Sequence, residues 1–122
     1  MANITLVGTT TGQDGTSSQV LYGGTPPVWA VPATAPYVAK TSTYTATTSD
    51  YTINCTSGTF TVNLPTAVGI AGRLYVIKNS GAGTITVDGS GSETIDGTTT
   101  YTLNVQYQSI TIQSDGANWI VL

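Results

Sequence analysis

The sequence contains no histidine and only one cysteine, Cys55. Because histidine is the commonest general base, its absence excludes a Ser-His-Asp or Cys-His catalytic arrangement. It also excludes a zinc site built from cysteine and histidine ligands. A single cysteine allows no disulfide within the chain, as is typical of a protein made in the cytoplasm. We therefore expect Cys55 to be a small buried residue rather than a nucleophile.

Charged side chains are scarce. They make up 7% of the chain, the net charge is −3, and the only cations are Lys40, Arg73 and Lys78. Three cations are too few to neutralise a run of phosphates, so nucleic-acid binding is not expected. Because free soluble chains usually carry more charge, this composition suggests a surface covered by copies of the chain or by a larger particle.

Long apolar runs are missing as well. No run approaches the ~18 consecutive apolar residues that span a bilayer, so we expect no membrane segment. The first residues lack a basic region followed by an apolar one, so we expect no signal peptide and folding in the cytoplasm of the cell that makes the protein.

Threonine and glycine are abundant instead, with 25 and 14 residues. Threonine favours strands because its branched side chain packs well on a pleated surface. No window of 11 or more residues carries an apolar stripe at helical spacing. The chain is therefore predicted to be all-β.

Residues 43–122 alternate apolar and hydroxyl side chains in short segments separated by glycine-containing turns. Asp-Gly between alternating segments is a strong hairpin signal, and strands every eight to twelve residues favour a compact antiparallel sandwich, barrel or prism. Residues 73–79 form a more continuous apolar run, which predicts a central strand buried on both faces. The predicted strands cover residues 44–47, 51–55, 59–64, 73–79, 84–88, 93–95, 101–103, 109–113 and 119–122.

Residues 1–42 are predicted to be an extended N-terminal arm. Four of the five prolines lie between residues 23 and 37, and proline is incompatible with a helix interior or a central strand. The arm nevertheless carries apolar side chains at wide spacing, which predicts ordering in a groove of a partner. Packing on the chain's own β domain is the alternative. The candidate partner-binding residues are Leu21, Tyr22, Val28, Trp29, Val31 and Tyr37.

The six carboxylates offer the only remaining candidates for catalysis or metal binding. Asp88, Glu93 and Asp96 lie close together in the sequence, and paired acids can hydrolyse glycosides or hold calcium. However, four of the six acids stand in Asp-Gly pairs, where aspartate stabilises turns. We therefore expect turns rather than a site, no metal or cofactor, and no enzymatic activity.

Two patterns in residues 43–122 resemble a module of tailed-bacteriophage structural proteins. They read YTI.C....F.V.LP.A.G..G..Y.IKN from residue 51 and ETIDG...Y.L......I.I.SDG.NW from residue 93. The resemblance implies a β-structured knob, usually a homotrimer, found on head fibres, tail fibres and related virion appendages. The resemblance implies no catalytic residues in this chain.

The short arm before the knob favours a non-enzymatic head decoration protein or short head fibre. Its expected location is the virion, and its expected partners are its own copies in a homotrimer and the major capsid protein or another virion protein. The alternative is a tail-fibre tip or glycan-binding module that recognises the host surface. Such a module would use exposed aromatic side chains, with Tyr101, Tyr107 and Trp119 as candidates.

Overall fold

A computed structural model describes residues 34–122. Five predicted partner-binding residues, Leu21, Tyr22, Val28, Trp29 and Val31, lie outside the described residues. The described part is all-β, and within it no helix long and apolar enough to cross a membrane is found. Its nine strands are β1 (Tyr37–Lys40), β2 (Tyr44–Thr45), β3 (Thr52–Cys55), β4 (Phe60–Asn63), β5 (Leu74–Asn79), β6 (Ile85–Asp88), β7 (Thr100–Leu103), β8 (Ser109–Ser114) and β9 (Trp119–Val121).

The strands form two sheets that face each other across one core. Sheet A has the order β1-β3-β5-β8-β9, and sheet B has the order β2-β4-β6-β7. From β1 to β6 the chain visits the two sheets alternately, so it winds as a flattened coil. The four pairings made by this coil are parallel, whereas β8 pairs antiparallel with β5 and β9, and β7 with β6.

The prediction of an all-antiparallel domain is therefore wrong for the first six strands. The turn after β3, Ser57-Gly58, does not fold the chain back as a hairpin but carries it across to β4 in the other sheet. Glycine permits either path, so the sequence signal for a turn is the same in both cases. The Asp115-Gly116 turn does join an antiparallel hairpin, that of β8 and β9.

Alternation along each strand places every second side chain in the core. In β5, Tyr75, Ile77 and Asn79 are buried and the intervening residues are half-buried. The predicted central position of β5 is confirmed, but burial on both faces is wrong, because the outer face of sheet A has no layer over it within the described residues. The core contains Ala46, Ile53, Cys55, Phe60, Val62, Leu64, Ala67, Tyr75, Ile77, Ile85, Val87, Ile95, Leu103, Ile110, Ile112 and Trp119.

The folded unit begins at Ala35, before the predicted boundary at residue 42. β1 lies within the range predicted as the arm, and it pairs in parallel with β3 in the register Tyr37↔Thr52. At the other end of sheet A, Trp119 is buried, and its ring packs on Tyr75 with 5.6 Å between ring centres.

A buried asparagine joins the two sheets at the end of β5. The side-chain amide of Asn79 donates to the carbonyl oxygens of Gly83 at 2.7 Å and Leu103 at 2.9 Å. Its side-chain oxygen accepts from the backbone N–H of Gly81 at 3.2 Å. Leu103 ends β7 in sheet B, so one side chain satisfies the β5–β6 turn and ties it to the opposite sheet.

Successive turns of the coil lie against each other at one corner. A Cβ at position 83 would overlap the carbonyl oxygen of Gly58, and one at position 81 would lie 2.9 Å from the Cα of Ser57. A Cβ on Gly58 would in turn lie 3.3 Å from the carbonyl oxygen of Thr41. Glycine is required here because the backbones of neighbouring turns touch.

We expect Asn79→Ala to lower the free energy of unfolding by about 2–4 kcal/mol, because it leaves two buried carbonyls and one buried N–H without partners. Urea unfolding of the full chain measures this. The matched control is Asn104→Ala at an exposed position, for which we expect a change within about 0.5 kcal/mol. A loss below 1 kcal/mol for Asn79→Ala would show that the amide does not hold the sheets together.

We expect Gly83→Ala to destabilise the protein by at least about 2 kcal/mol, because the turn must shift away from Gly58. Ala82→Ser changes the exposed neighbour in the same turn and is expected to be almost neutral. Equal unfolding midpoints for the two variants would contradict the close stacking of the corner.

Candidate functional site

The carboxylates of Glu93 and Asp115 hold loops in place. Glu93 accepts a hydrogen bond from the Ala67 backbone N–H at 2.8 Å and another from the Thr66 hydroxyl. Asp115 accepts from the backbone N–H groups of Ala117 and Asn118, which lower the pKa of its carboxyl group. Within residues 34–122 no three acidic or cysteine side chains gather as metal ligands do.

Asp50 is the buried acid of the described part. Its carboxylate accepts from the Tyr44 hydroxyl at 2.7 Å and from the Thr47 backbone N–H at 2.8 Å. The hydrogen bond to Asp50, followed by burial, raises the pKa of Tyr44. The guanidinium of Arg73 donates to the carbonyl oxygens of Thr47 and Asp50. These contacts fix the β2–β3 loop against the start of β5.

A cavity of about 350 Å³ lies beside this loop. Arg73 is its charged donor, but one guanidinium nitrogen is already committed to two carbonyl oxygens and Nε is buried without a partner among the described residues. The Nε–H of Arg73 is therefore a buried donor that no described residue uses. Its lining residues are Pro36, Thr48, Ser49, Asp50, Tyr51, Gly72, Arg73 and Leu74.

Cys55 is buried in the core, as predicted. Burial raises the pKa of its thiol to about 11. At neutral pH the thiolate fraction is therefore very small, and the nucleophilic form is almost absent.

The last strand of sheet A is sealed along its outer edge. The N–H of Trp119 donates to the carbonyl oxygen of Thr94 at 2.8 Å, and the N–H of Asp96 donates to the carbonyl oxygen of Trp119 at 3.0 Å. The carboxylate of Asp96, a residue with φ of 49°, accepts from the N–H of Val121 at 3.0 Å. The predicted strand at residues 93–95 is therefore absent: Ile95 makes two isolated bridges, one to Thr98 and one to Trp119, and the second covers β9.

Among residues 34–122, no strand pairs with the outer edge of β1, the first strand of sheet A. The carbonyl oxygens of Pro36 and Lys40 accept from β3, so alternate residues of β1 point their backbone groups toward β3. Tyr37 and Ala39 point theirs away from the sheet, and they have no backbone partner within residues 34–122. Both side chains are exposed. In sheet B the backbone groups of Tyr44 point toward β4. Those of the next residue, Thr45, therefore point away from the sheet, as those of Tyr37 and Ala39 do in sheet A.

We define the open edge as Tyr37, Ala39 and Thr45. Unpaired strand edges attract further strands, and proteins usually cover or disrupt them. Within residues 34–122, sheet A thus has one edge that is covered by a loop and one edge that has no partner. Tyr37 was predicted to bind a partner through its side chain. The sequence carries no signal for the open backbone edge, because strands that pair are not adjacent in the sequence.

The three aromatic residues proposed for glycan binding do not form one exposed cluster. Trp119 is buried, Tyr101 is half-buried against the core, and Tyr107 is 64% exposed. Tyr37 is 59% exposed on β1.

Comparisons with protein-family models, curated proteins and solved structures find no match for the chain. The resemblance to phage structural modules therefore stays a prediction.

We expect Asp96→Ala to raise the exchange rate of the Val121 amide about tenfold, because a hydrogen bond worth about 1–1.5 kcal/mol is lost. Hydrogen exchange followed by NMR measures this. Asp96→Asn keeps a side-chain oxygen and tolerates a positive φ, so it is expected to preserve the protection. If both variants exchange like the unchanged protein, Asp96 does not seal the β9 edge.

Proposed function

We propose that this chain is a non-enzymatic structural protein of a bacteriophage virion, a head decoration protein or short head fibre. In this proposal the part of the predicted arm that precedes the folded unit, residues 1–34, attaches it to the major capsid protein or another virion protein, and three copies associate. The resemblance of residues 43–122 to phage fibre modules supports the virion, and the open edge supports assembly.

The observation that carries the proposal is the difference between the two ends of sheet A. At β9 the N–H and the carbonyl oxygen of Trp119 and the N–H of Val121 are bonded to Thr94 and Asp96. At β1 those of Tyr37 and Ala39 lack a partner within the described residues. A sheet covered at one edge cannot extend strand by strand into a filament, and a closed trimer therefore needs a different surface of each neighbour to cover the β1 edge.

The surface chemistry agrees with assembly. The chain carries nine charged residues, six acids and three cations, and the exposed large apolar side chains are distributed over several loops and edges. These are Tyr37, Val68, Val105, Tyr107 and Leu122. In a symmetric oligomer each copy covers its neighbour's open edge, and the same surface is used three times. Three arms on one trimer then bind a shell with high avidity.

We expect the full-length protein to co-sediment with purified heads of the phage that encodes it, and a variant lacking residues 2–33 to remain in the supernatant. The deletion keeps the compact unit that starts at Ala35, so both proteins should have the same near-ultraviolet circular dichroism. Binding to tails instead of heads would support a tail-fibre tip. Equal head binding by both proteins would remove the proposed role of the arm.

The oligomer is tested separately with two substitutions at one position. Ala39→Pro replaces an outward-pointing N–H with a ring and leaves every bond to β3 in place. We expect this variant to sediment as a folded monomer. Ala39→Thr keeps the N–H and is expected to remain trimeric. A monomeric unchanged protein at micromolar concentration would contradict the trimer.

A further inference from the structure

The outer face of sheet A is the surface that the strands turn away from the core. It carries hydroxyl, amide and small apolar groups, no carboxylate, and one cation, Lys78. Its residues, given by the strand registers, are Tyr37, Ala39, Thr52, Asn54, Leu74, Val76, Lys78, Ser109, Thr111, Gln113 and Ile120. On a chain with a net charge of −3, this face is locally positive.

Polar side chains cross this face in a hydrogen-bonded row. The Asn54 amide donates to the Tyr37 hydroxyl at 3.1 Å, and the Ser80 hydroxyl donates to the Asn54 side-chain oxygen at 2.6 Å. The Gln106 amide donates to the Ser80 carbonyl oxygen at 3.2 Å. Each group is held by its neighbour and still has an unused donor or acceptor, so the row is preorganised for a polar ligand.

Tyr107 stands beside the far end of this row. Its φ is 68°, a left-handed conformation that bulky residues rarely adopt. The backbone is held there because the Tyr107 N–H donates to the Asn79 carbonyl oxygen at 2.6 Å and the Lys78 ammonium donates to the Tyr107 carbonyl oxygen at 3.0 Å. Val105 and Gln108 close the loop with two reciprocal bonds. A rigid, strained loop thus presents an exposed ring.

The two exposed tyrosines flank the row at opposite sides. β1 and β5 are separated by β3, so their axes lie about 10 Å apart at the usual strand spacing. Tyr107 lies beyond β5 next to Lys78, with the ammonium 5.7 Å from the ring centre. A ligand that contacts both rings must therefore be an extended chain rather than one small molecule.

We propose that the outer face of sheet A binds an oligosaccharide that carries carboxylates. One sugar ring stacks on Tyr107, hydroxyl groups bond to Asn54 and Ser80, and a carboxylate pairs with Lys78. Aromatic rings offer sugars a flat apolar surface beside fixed polar groups. The charge of this face selects an acidic chain over a neutral one. This inference goes beyond the proposed virion role and does not require it.

The test uses the full-length protein on an array of bacterial uronic-acid oligosaccharides, each printed beside its uncharged methyl ester. We expect binding to acidic oligosaccharides at least about tenfold tighter than to their esters. Titration calorimetry with the best uronic oligosaccharide then gives the affinity of each variant. No binding to any acidic oligosaccharide, or equal binding to the ester, would overturn the proposal.

Tyr107→Gly is the decisive variant, because glycine adopts the same φ without strain and only the ring is lost. We expect at least a tenfold loss of affinity with an unfolding midpoint no lower than that of the unchanged protein. Tyr107→Phe keeps the ring and should bind within about twofold. Lys78→Gln should remove the preference for the acid, and Val105→Ser, in the same loop, should change nothing.

Sedimentation and head binding of the same variants separate this site from the assembly role. If Tyr107→Gly retains full glycan affinity, or if it dissociates an oligomer, the face is not a glycan site and the proposal fails. Head binding by Tyr107→Gly is expected to match that of the unchanged protein, so failure here leaves the proposed function intact.

Discussion

The close stacking of successive turns at one corner is the constraint on which the fold depends. The chain passes from sheet A to sheet B after β1, β3 and β5, and these crossings must lie one strand spacing apart if both sheets are to pair. Gly58, Gly81 and Gly83 allow that spacing because no Cβ intervenes. The crossing exposes backbone groups to the core, and Asn79 satisfies three of them. Both devices therefore stabilise the parallel pairing of the two sheets.

Local sequence pattern predicted most strands but not their partners. Alternation in residues 52–55, 60–63 and 109–114 reports one buried face, and that information is contained within each segment. Whether two strands pair in parallel or antiparallel depends on the path that the chain takes after a glycine-containing turn. The glycine permits both paths and does not determine which one is taken. The same limit explains the wrong strand prediction at residues 93–95. This segment alternates like a strand, but it meets sheet A only through the bridge from Ile95 to Trp119. It also explains why neither the open edge nor the left-handed Tyr107 could be foreseen.

The two ends of sheet A show how an edge is controlled. At β9, an aspartate with positive φ replaces a backbone acceptor, so a loop behaves as a short extra strand. At β1, alternate backbone groups have no partner within the described part of the chain. On the core side of the β1 edge, the side chains of Lys40 and Tyr44 cover the space between the two sheets. The Lys40 ammonium lies 4.1 Å from the centre of the Tyr44 ring. The core is therefore protected at the open end even while the backbone edge is available, which permits a stable unit before assembly.

Tyr37 links the open edge to the outer face. Its backbone groups point outward from β1, whereas its ring lies on the face and its hydroxyl accepts from Asn54. A strand added beside β1 would fix the Tyr37 backbone and, through χ1, narrow the positions of its ring. The polar row would then lose less conformational freedom when a ligand binds, since part of that entropy is already lost on assembly. In the proposed assembly, pairing at the edge would therefore favour the proposed ligand binding on the face, and ligand binding would favour pairing.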